Sequence, residues 1–306
     1  MDVTKAKTPT SPASDVERWY VLTAFKQEIH AKSLLEDEAR RQREAGLAPW
    51  RVFLPMVQAL HGTEGHKRRV TKPLLPNFAF VRARLHDLYL WKQQYPFIRF
   101  YRPAMLQDTD QRCVYVPDLQ MESFITVVKA QQHLGVQIFR PGEIDLHKGD
   151  HVRITSGPFE GVEGTLLVEQ GRPGGSVLIE LQHVATIRTL YIEPEFIQVL
   201  SFADEGNRLY KHLDNYFKLA LSALSSWSSS GSVPSPILSR LVTSRQRLSA
   251  LSLTTASTRA TLTICHLITA YARQEITSHQ FEAQLSSQLP NLPSSKRNSL
   301  TPLLQK

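Results

Sequence analysis

Cysteine is nearly missing from this chain: Cys113 and Cys265 are the only two in 306 residues. Two isolated thiols build neither a disulfide framework nor a zinc site, so both read as reduced packing residues. Long apolar runs are also missing, and MDVTKAKTPTSPASD at the amino end has no hydrophobic signal core. A soluble, cytoplasmic protein with a disordered tail over residues 1–16 is therefore expected. No Gly-x-x-x-x-Gly-Lys phosphate string, dinucleotide fingerprint or metal-ligand spacing occurs, and His133, His147, His151 and His183 are scattered singly. The glycine-rich stretch Gly171–Gly175 lies between two strand-like runs, where a hairpin turn explains it better than a phosphate loop. The sequence thus predicts no enzyme, no cofactor and no metal.

Charge is present but unevenly spread. The net charge is +8, yet residues 201–306 hold eleven Lys or Arg against five Asp or Glu, so the first two hundred residues carry only +2. Within that first part the positive charge is local: His66, Lys67, Arg68, Arg69 and Lys72 crowd one polar excursion. Neighbouring like charges repel, which predicts an exposed, mobile tip rather than a uniformly basic body.

The most specific string is KGDHVRITSGPFEGVEG, residues 148–164. Val152 and Ile154 alternate with His151, Arg153 and Thr155, the period-two pattern of a half-buried strand. Ser156-Gly157-Pro158-Phe159 turns the chain, and Val162, Leu166 and Val168 continue an apolar face into a second strand. Val177–Leu181 and Thr186–Val199 supply two further runs, which together outline a small β-barrel over residues 145–200. Upstream, Trp19–Ala24 reads as a strand, and Gln27–Ala45 as an amphipathic helix with Ala31, Leu34, Leu35 and Ala39 on one face. Strands around Trp50–Met56, Asn77–Arg82 and Phe97–Tyr101, with a helical patch at His86–Gln94, complete an α+β sandwich over residues 17–110. Residues 111–144 read as a linker region with a possible helix.

Beyond residue 200 the pattern becomes helical. Leu209, Leu213, Tyr216, Phe217, Ala220, Leu221 and Leu224 form a strong stripe. SSWSSSGSVPSP, residues 225–236, reads as a flexible break, and helical patterns resume at Leu238–Leu251 and Thr261–Leu289. The abundant Ser and Thr weaken helix propensity, so three helices could form a bundle or fold only against a partner.

Gly149-Asp150-x-Val152-x-Ile154-x-x-Gly157-Pro158-Phe159-x-Gly161-x-x-Gly164 resembles a KOW motif, the SH3-like barrel module of ribosomal proteins and NusG-type transcription factors. Trp19-Tyr20-Val21-Leu22 and Leu75-Pro76-Asn77-Phe78-Ala79-Phe80-Val81 resemble the two signature strings of the NusG amino-terminal (NGN) domain. Such a domain beside a KOW barrel is the NusG arrangement, and the resemblance spans roughly residues 17–200. Pro76-Asn77-Phe78, with the added helical tail, is similar to specialised paralogues of the RfaH or UpxY type.

That resemblance implies a transcription elongation factor that suppresses pausing and termination, as an operon-specific antiterminator. A general factor supporting Rho-dependent termination and a ribosome- or RNA-binding KOW protein stand as alternatives. It further implies a hydrophobic depression for the clamp helices of the RNA polymerase β′ subunit, carried here by Trp19, Thr23, Leu75, Pro76, Phe78 and Phe80. Leu75 stands where an aromatic is usual, and Phe78 where tyrosine is common. Alternation puts Phe78 and Phe80 on the face opposite Ala79 and Val81. If the latter pair faces the helices, the two phenylalanines are free for a partner, whereas Trp19 fits a core as well as a docking surface. Lys26, His66, Lys67, Arg68, Arg69 and Lys72 would meet upstream or non-template DNA. Phe159 at the Gly-Pro turn, with Ile154, would dock a small-subunit ribosomal protein or Rho, a partly buried hairpin plug being the competing reading for Phe159.

Overall fold

A computed structural model describes residues 16–61, 68–103, 113–134, 136–141, 143–144, 146, 149–168, 174–181, 183–203, 207–251, 253 and 255–304. It is a mixed α/β protein with antiparallel sheets and, among the described residues, eight α-helices. None of those helices is long and apolar enough to cross a membrane. The chain divides into two compact units, Met1–Ile144 with Gly161–Gly164 and Leu178–Leu190, and Asp145–Glu160 with Thr165–Val177 and Tyr191–Lys306.

The first unit is built on strands β1 (Arg18–Thr23), β2 (Arg51–Phe53), β5 (Phe78–Ala83) and β6 (Arg99–Phe100), in the order β2-β5-β1-β6, with β7 (Tyr115–Val116) also pairing with β1. Antiparallel register sets Val21 opposite Phe80 and Thr23 opposite Phe78. Side chains therefore sort cleanly onto two faces. Tyr20, Leu22, Ala79 and Val81 join Ala31, Leu35 and Ala39 of α1 (Glu28–Glu44) and Leu88 and Trp91 of α2 (Leu85–Lys92) in one core. The other face, with Trp19, Val21 and Phe80, lies under α3 (Asp118–Gln131). Phe124 of that helix packs edge-on against Phe53 and Phe80, with ring centroids 5.7 and 5.6 Å apart. Residues 118–131, expected within a linker region with a possible helix, are helical and cover this sheet. Strands β3 (Met56–His61) and β4 (Arg68–Pro73) form a separate two-stranded ribbon.

The remaining strands are ordered β13-β9-β10-β11-β12-β8: β8 Gln137–Phe139, β9 His151–Ile154, β10 Glu163–Val168, β11 Gly175–Leu181, β12 Ala185–Arg188 and β13 Ile197–Ser201. Val152 and Ile154 are buried while His151 and Arg153 are exposed. Val168, expected on the buried face, is instead 60% exposed, because it ends its strand. Gly149 marks a close backbone crossing, since a Cβ there would lie 2.7 Å from the Leu166 carbonyl oxygen.

In the second unit, α4 (Asn207–Ser230), α5 (Ser235–Leu248), α6 (Ala256–Ala272), α7 (Ser278–Gln288) and α8 (Ser294–Leu304) form the extension. Leu213, Tyr216, Phe217, Ala220 and Leu224 of the α4 stripe are buried. The expected break at 225–236 is helical as far as Ser230. Ser226 and Ser230 turn their hydroxyls onto carbonyls four residues back, which does not itself favour a helix; the Trp227 ring packed on Tyr271 is the contact that ties the serine run down. The pattern over 261–289 is two helices, since Gln274 is left-handed and Thr277 with Gln280 starts α7 in a capping box. Helix α5 packs on β13 and the 3-10 turn Pro194–Phe196. The buried Asp150 carboxylate accepts hydrogen bonds from the Ala203 amide and Arg208, each at 3.2 Å.

Candidate functional site

Where α3 stops covering the second face of the first sheet, the end carrying Thr23 and Phe78 is left open. An open depression of about 570 Å³ lies there, lined by Thr23, Phe25, Gln27, Asn77, Phe78, Phe97 and Arg99. Three phenylalanines share its lining with Thr23, Gln27, Asn77 and Arg99, and the lining includes no carboxylate, histidine or thiol. It is suited to receive an apolar protrusion rather than to move protons.

The turn between β1 and α1 presents the most exposed of these rings. Ala24 is buried, but Phe25 is 72% exposed. Next to it Lys26 adopts the left-handed region at φ 55°, and Asn77 across the turn does the same at φ 71°. The Lys26 amide donates to Asn77 Oδ1 at 2.9 Å, and the Ala24 amide donates to the Asn77 carbonyl at 2.9 Å. Leu75-Pro76-Asn77-Phe78 is itself a turn, closed by the Phe78 amide on the Leu75 carbonyl, with proline second and a left-handed residue third as type II requires. Phe78 is half-buried edge-on against Tyr101, 5.0 Å between centroids. Burial pushes the Tyr101 phenol above its ordinary pKa, and its hydroxyl donates to the His183 carbonyl at 2.9 Å. Phe97 stacks on His30 at 5.5 Å, and the Thr23 hydroxyl donates to the Arg99 carbonyl.

Of the six residues assigned to a polymerase contact, Thr23 and Phe78 line the depression and Pro76 is exposed beside it. The other three are corrected. Phe80 is 0% and Trp19 1% exposed, because α3 seals their face. Leu75 is buried where its turn closes. Arg51 does lie over the Trp19 ring, 5.1 Å from its centroid. Phe25, Phe97 and Arg99 were missed; the signal for Phe25 is an aromatic beyond the last strand position, followed by polar Lys26-Gln27.

The proposed nucleic-acid contacts fall in two places. Lys26 is in the turn beside the depression, its ammonium 5.5 Å from the Phe25 ring centroid. Arg68, Arg69 and Lys72 are exposed on β4, opposite His61, Leu60 and Val57. Alternation turns Arg68 and Lys72 to one side of the ribbon and Arg69 to the other. His66 and Lys67 lie outside the described residues.

The second expected docking point is also corrected. Phe159 is only 6% exposed and Ile154 1%. Gly157 at φ 86° and Gly161 at φ 81° flank the turn, and the buried ring fits the hairpin-plug alternative better than an exposed docking point. Cys265 is fully buried and burial raises its thiol pKa; the half-buried Cys113 thiol is raised by burial as well. No cluster of possible metal ligands occurs among the described residues.

No family model matches the sequence, and no curated protein does either. Among solved structures, one of Thermotoga maritima NusG, concerned with domain interaction in that protein, is similar to this chain: identity is 19%, the match covers 61% of this chain and 99% of that chain, and the TM-score is 0.31.

Proposed function

We propose that this protein is a NusG-like transcription elongation factor, with an NGN-type first domain and a KOW-type barrel, that binds the RNA polymerase β′ clamp helices through the depression around Phe25 and Phe78. The observation that carries the reading is an open aromatic depression at the junction of the Trp19–Thr23 and Leu75–Val81 strings, the two segments that resemble the family's signatures. Exposed aromatics in a concave setting are favoured anchors for a protein partner. Clamping the polymerase would disfavour its paused state, and Pro76-Asn77-Phe78 with the helical extension supports an operon-specific antiterminator.

Arg68, Arg69 and Lys72 would meet phosphates of upstream or non-template DNA while the depression holds the enzyme. Each phosphate contact contributes slightly less than one unit to the salt slope of binding. Neutralising the three should therefore flatten the salt dependence of complex formation on a DNA scaffold.

The direct test is fluorescence titration of the full chain with an isolated clamp-helix hairpin. Saturable binding is expected, weakened at least about tenfold by Phe78→Ala, which corresponds to about 1.4 kcal/mol. No saturation at concentrations on the order of 100 μM would overturn the reading.

A further inference from the structure

Two residues other than glycine hold left-handed backbone on either side of the depression, and they are bonded to each other. For residues with a Cβ this conformation costs roughly 1–2 kcal/mol, and strain of this kind persists only where its surroundings hold it. The surroundings here are specific. Asn77 uses its backbone carbonyl on the Ala24 amide and its side-chain carbonyl on the Lys26 amide, both at 2.9 Å. The Gln27 amide then closes on the Ala24 carbonyl at 2.8 Å, and the Gln27 carbonyl accepts the Ala31 amide inside α1. Ala24, 1% exposed, anchors one end of the turn, while Phe25 is left 72% exposed.

We propose that Asn77 is the positioning residue of this surface: its side-chain carbonyl locks Lys26 left-handed and so holds the Phe25 ring out over the depression. The proposal rests on the reading of the depression as the clamp-helix site. Glycine at 77 would supply the left-handed backbone at less cost. It could not supply the acceptor for Lys26. Asparagine and aspartate share both properties, a tolerance for this conformation and an oxygen at the right place. The residue type is therefore set by the turn it holds, not only by the turn it sits in.

This separates presentation of Phe25 from stability of the fold. Asn77→Gly keeps the backbone of the Leu75–Phe78 turn and removes only the Oδ1 acceptor. Asn77→Asp keeps both. In the full chain, Asn77→Gly should melt within a few degrees of the parent, yet bind the clamp-helix hairpin about tenfold more weakly. Asn77→Asp should restore binding to within about twofold. In parallel, amide exchange of Lys26, followed by NMR, should be several-fold faster in Asn77→Gly and near the parent rate in Asn77→Asp.

Parent-like binding by Asn77→Gly would overturn the proposal, as would an Asn77→Asp variant as weak as Asn77→Gly. If the parent chain itself fails to bind the hairpin, the functional reading fails, and Lys26 exchange then decides the lock alone: an unchanged rate in Asn77→Gly refutes it, and a rate raised by loss of the acceptor supports it.

Discussion

Phe25 and Phe159 both sit at tight turns beside residues with positive φ, yet one ring is 72% exposed and the other 6%. What differs is what the turn is attached to. The Phe25 turn is bonded to Asn77 in the turn before the neighbouring strand, and its ring stays exposed. The Phe159 turn is flanked by Gly157 and Gly161, which take positive φ without a Cβ penalty, and its ring is buried. An aromatic at a loop tip is thus left open to a partner only where something holds it away from the core.

Stability should separate the two rings most strongly. Phe159→Ala is expected to cost about 3–5 kcal/mol, as for other buried phenylalanines. Phe25→Ala should change the unfolding free energy by no more than about 0.5 kcal/mol, as for other exposed positions. Chemical denaturation of the two variants checks this, and equal losses would erase the distinction.

The backbones of the two turns give a smaller contrast. Gly157→Ala puts a Cβ into open space but at φ 86°, so backbone strain alone should cost about 1–2 kcal/mol. Lys26→Gly relieves such strain and should leave stability unchanged or raised by up to about 1 kcal/mol. Thermal melts that rank the variants the other way would show that the turns are not held as described.

The smallest expected effect comes from the sealed second unit. Burial lowers His266 to a pKa of about 4, with the Arg245 charge adding to it, and its Nε2 has no partner. His212 is lowered too, first by burial and then by the Arg247 charge. Between pH 6.5 and 4 the unfolded chain takes up protons that folded His266 refuses, so its contribution is present above pH 6.5 and lost as pH falls toward 4. For a partly exposed ring this amounts to about 1 kcal/mol. His266→Gln should flatten the fall in stability over that range, with His212 supplying the remainder. An unchanged pH profile would contradict the burial of a neutral ring.

Much of this was legible in local patterns. Alternation separated Phe78 and Phe80 from Ala79 and Val81, and Val152 and Ile154 from their neighbours, because a strand's period depends on backbone alone. The α4 stripe was readable for the same reason. What covers each face was not readable, since that depends on contacts far apart in sequence. Nothing near Phe80 announces that Phe124 will sit on it. The serine run reads as a break because propensity leaves out the packing of Trp227 on Tyr271, a contact distant in sequence. Phe25 was passed over because it lies outside any periodic element, the same circumstance that leaves it exposed.

The central claim is that the first unit grips a partner through the Phe25 depression. It is tested most directly by placing benzophenylalanine at position 25, and as a control at the exposed Val168, in otherwise intact chains bound to a transcribing RNA polymerase. The account predicts a crosslink from position 25 to the β′ clamp helices and none from position 168. A complex that forms normally but yields no β′ crosslink from position 25 would contradict it.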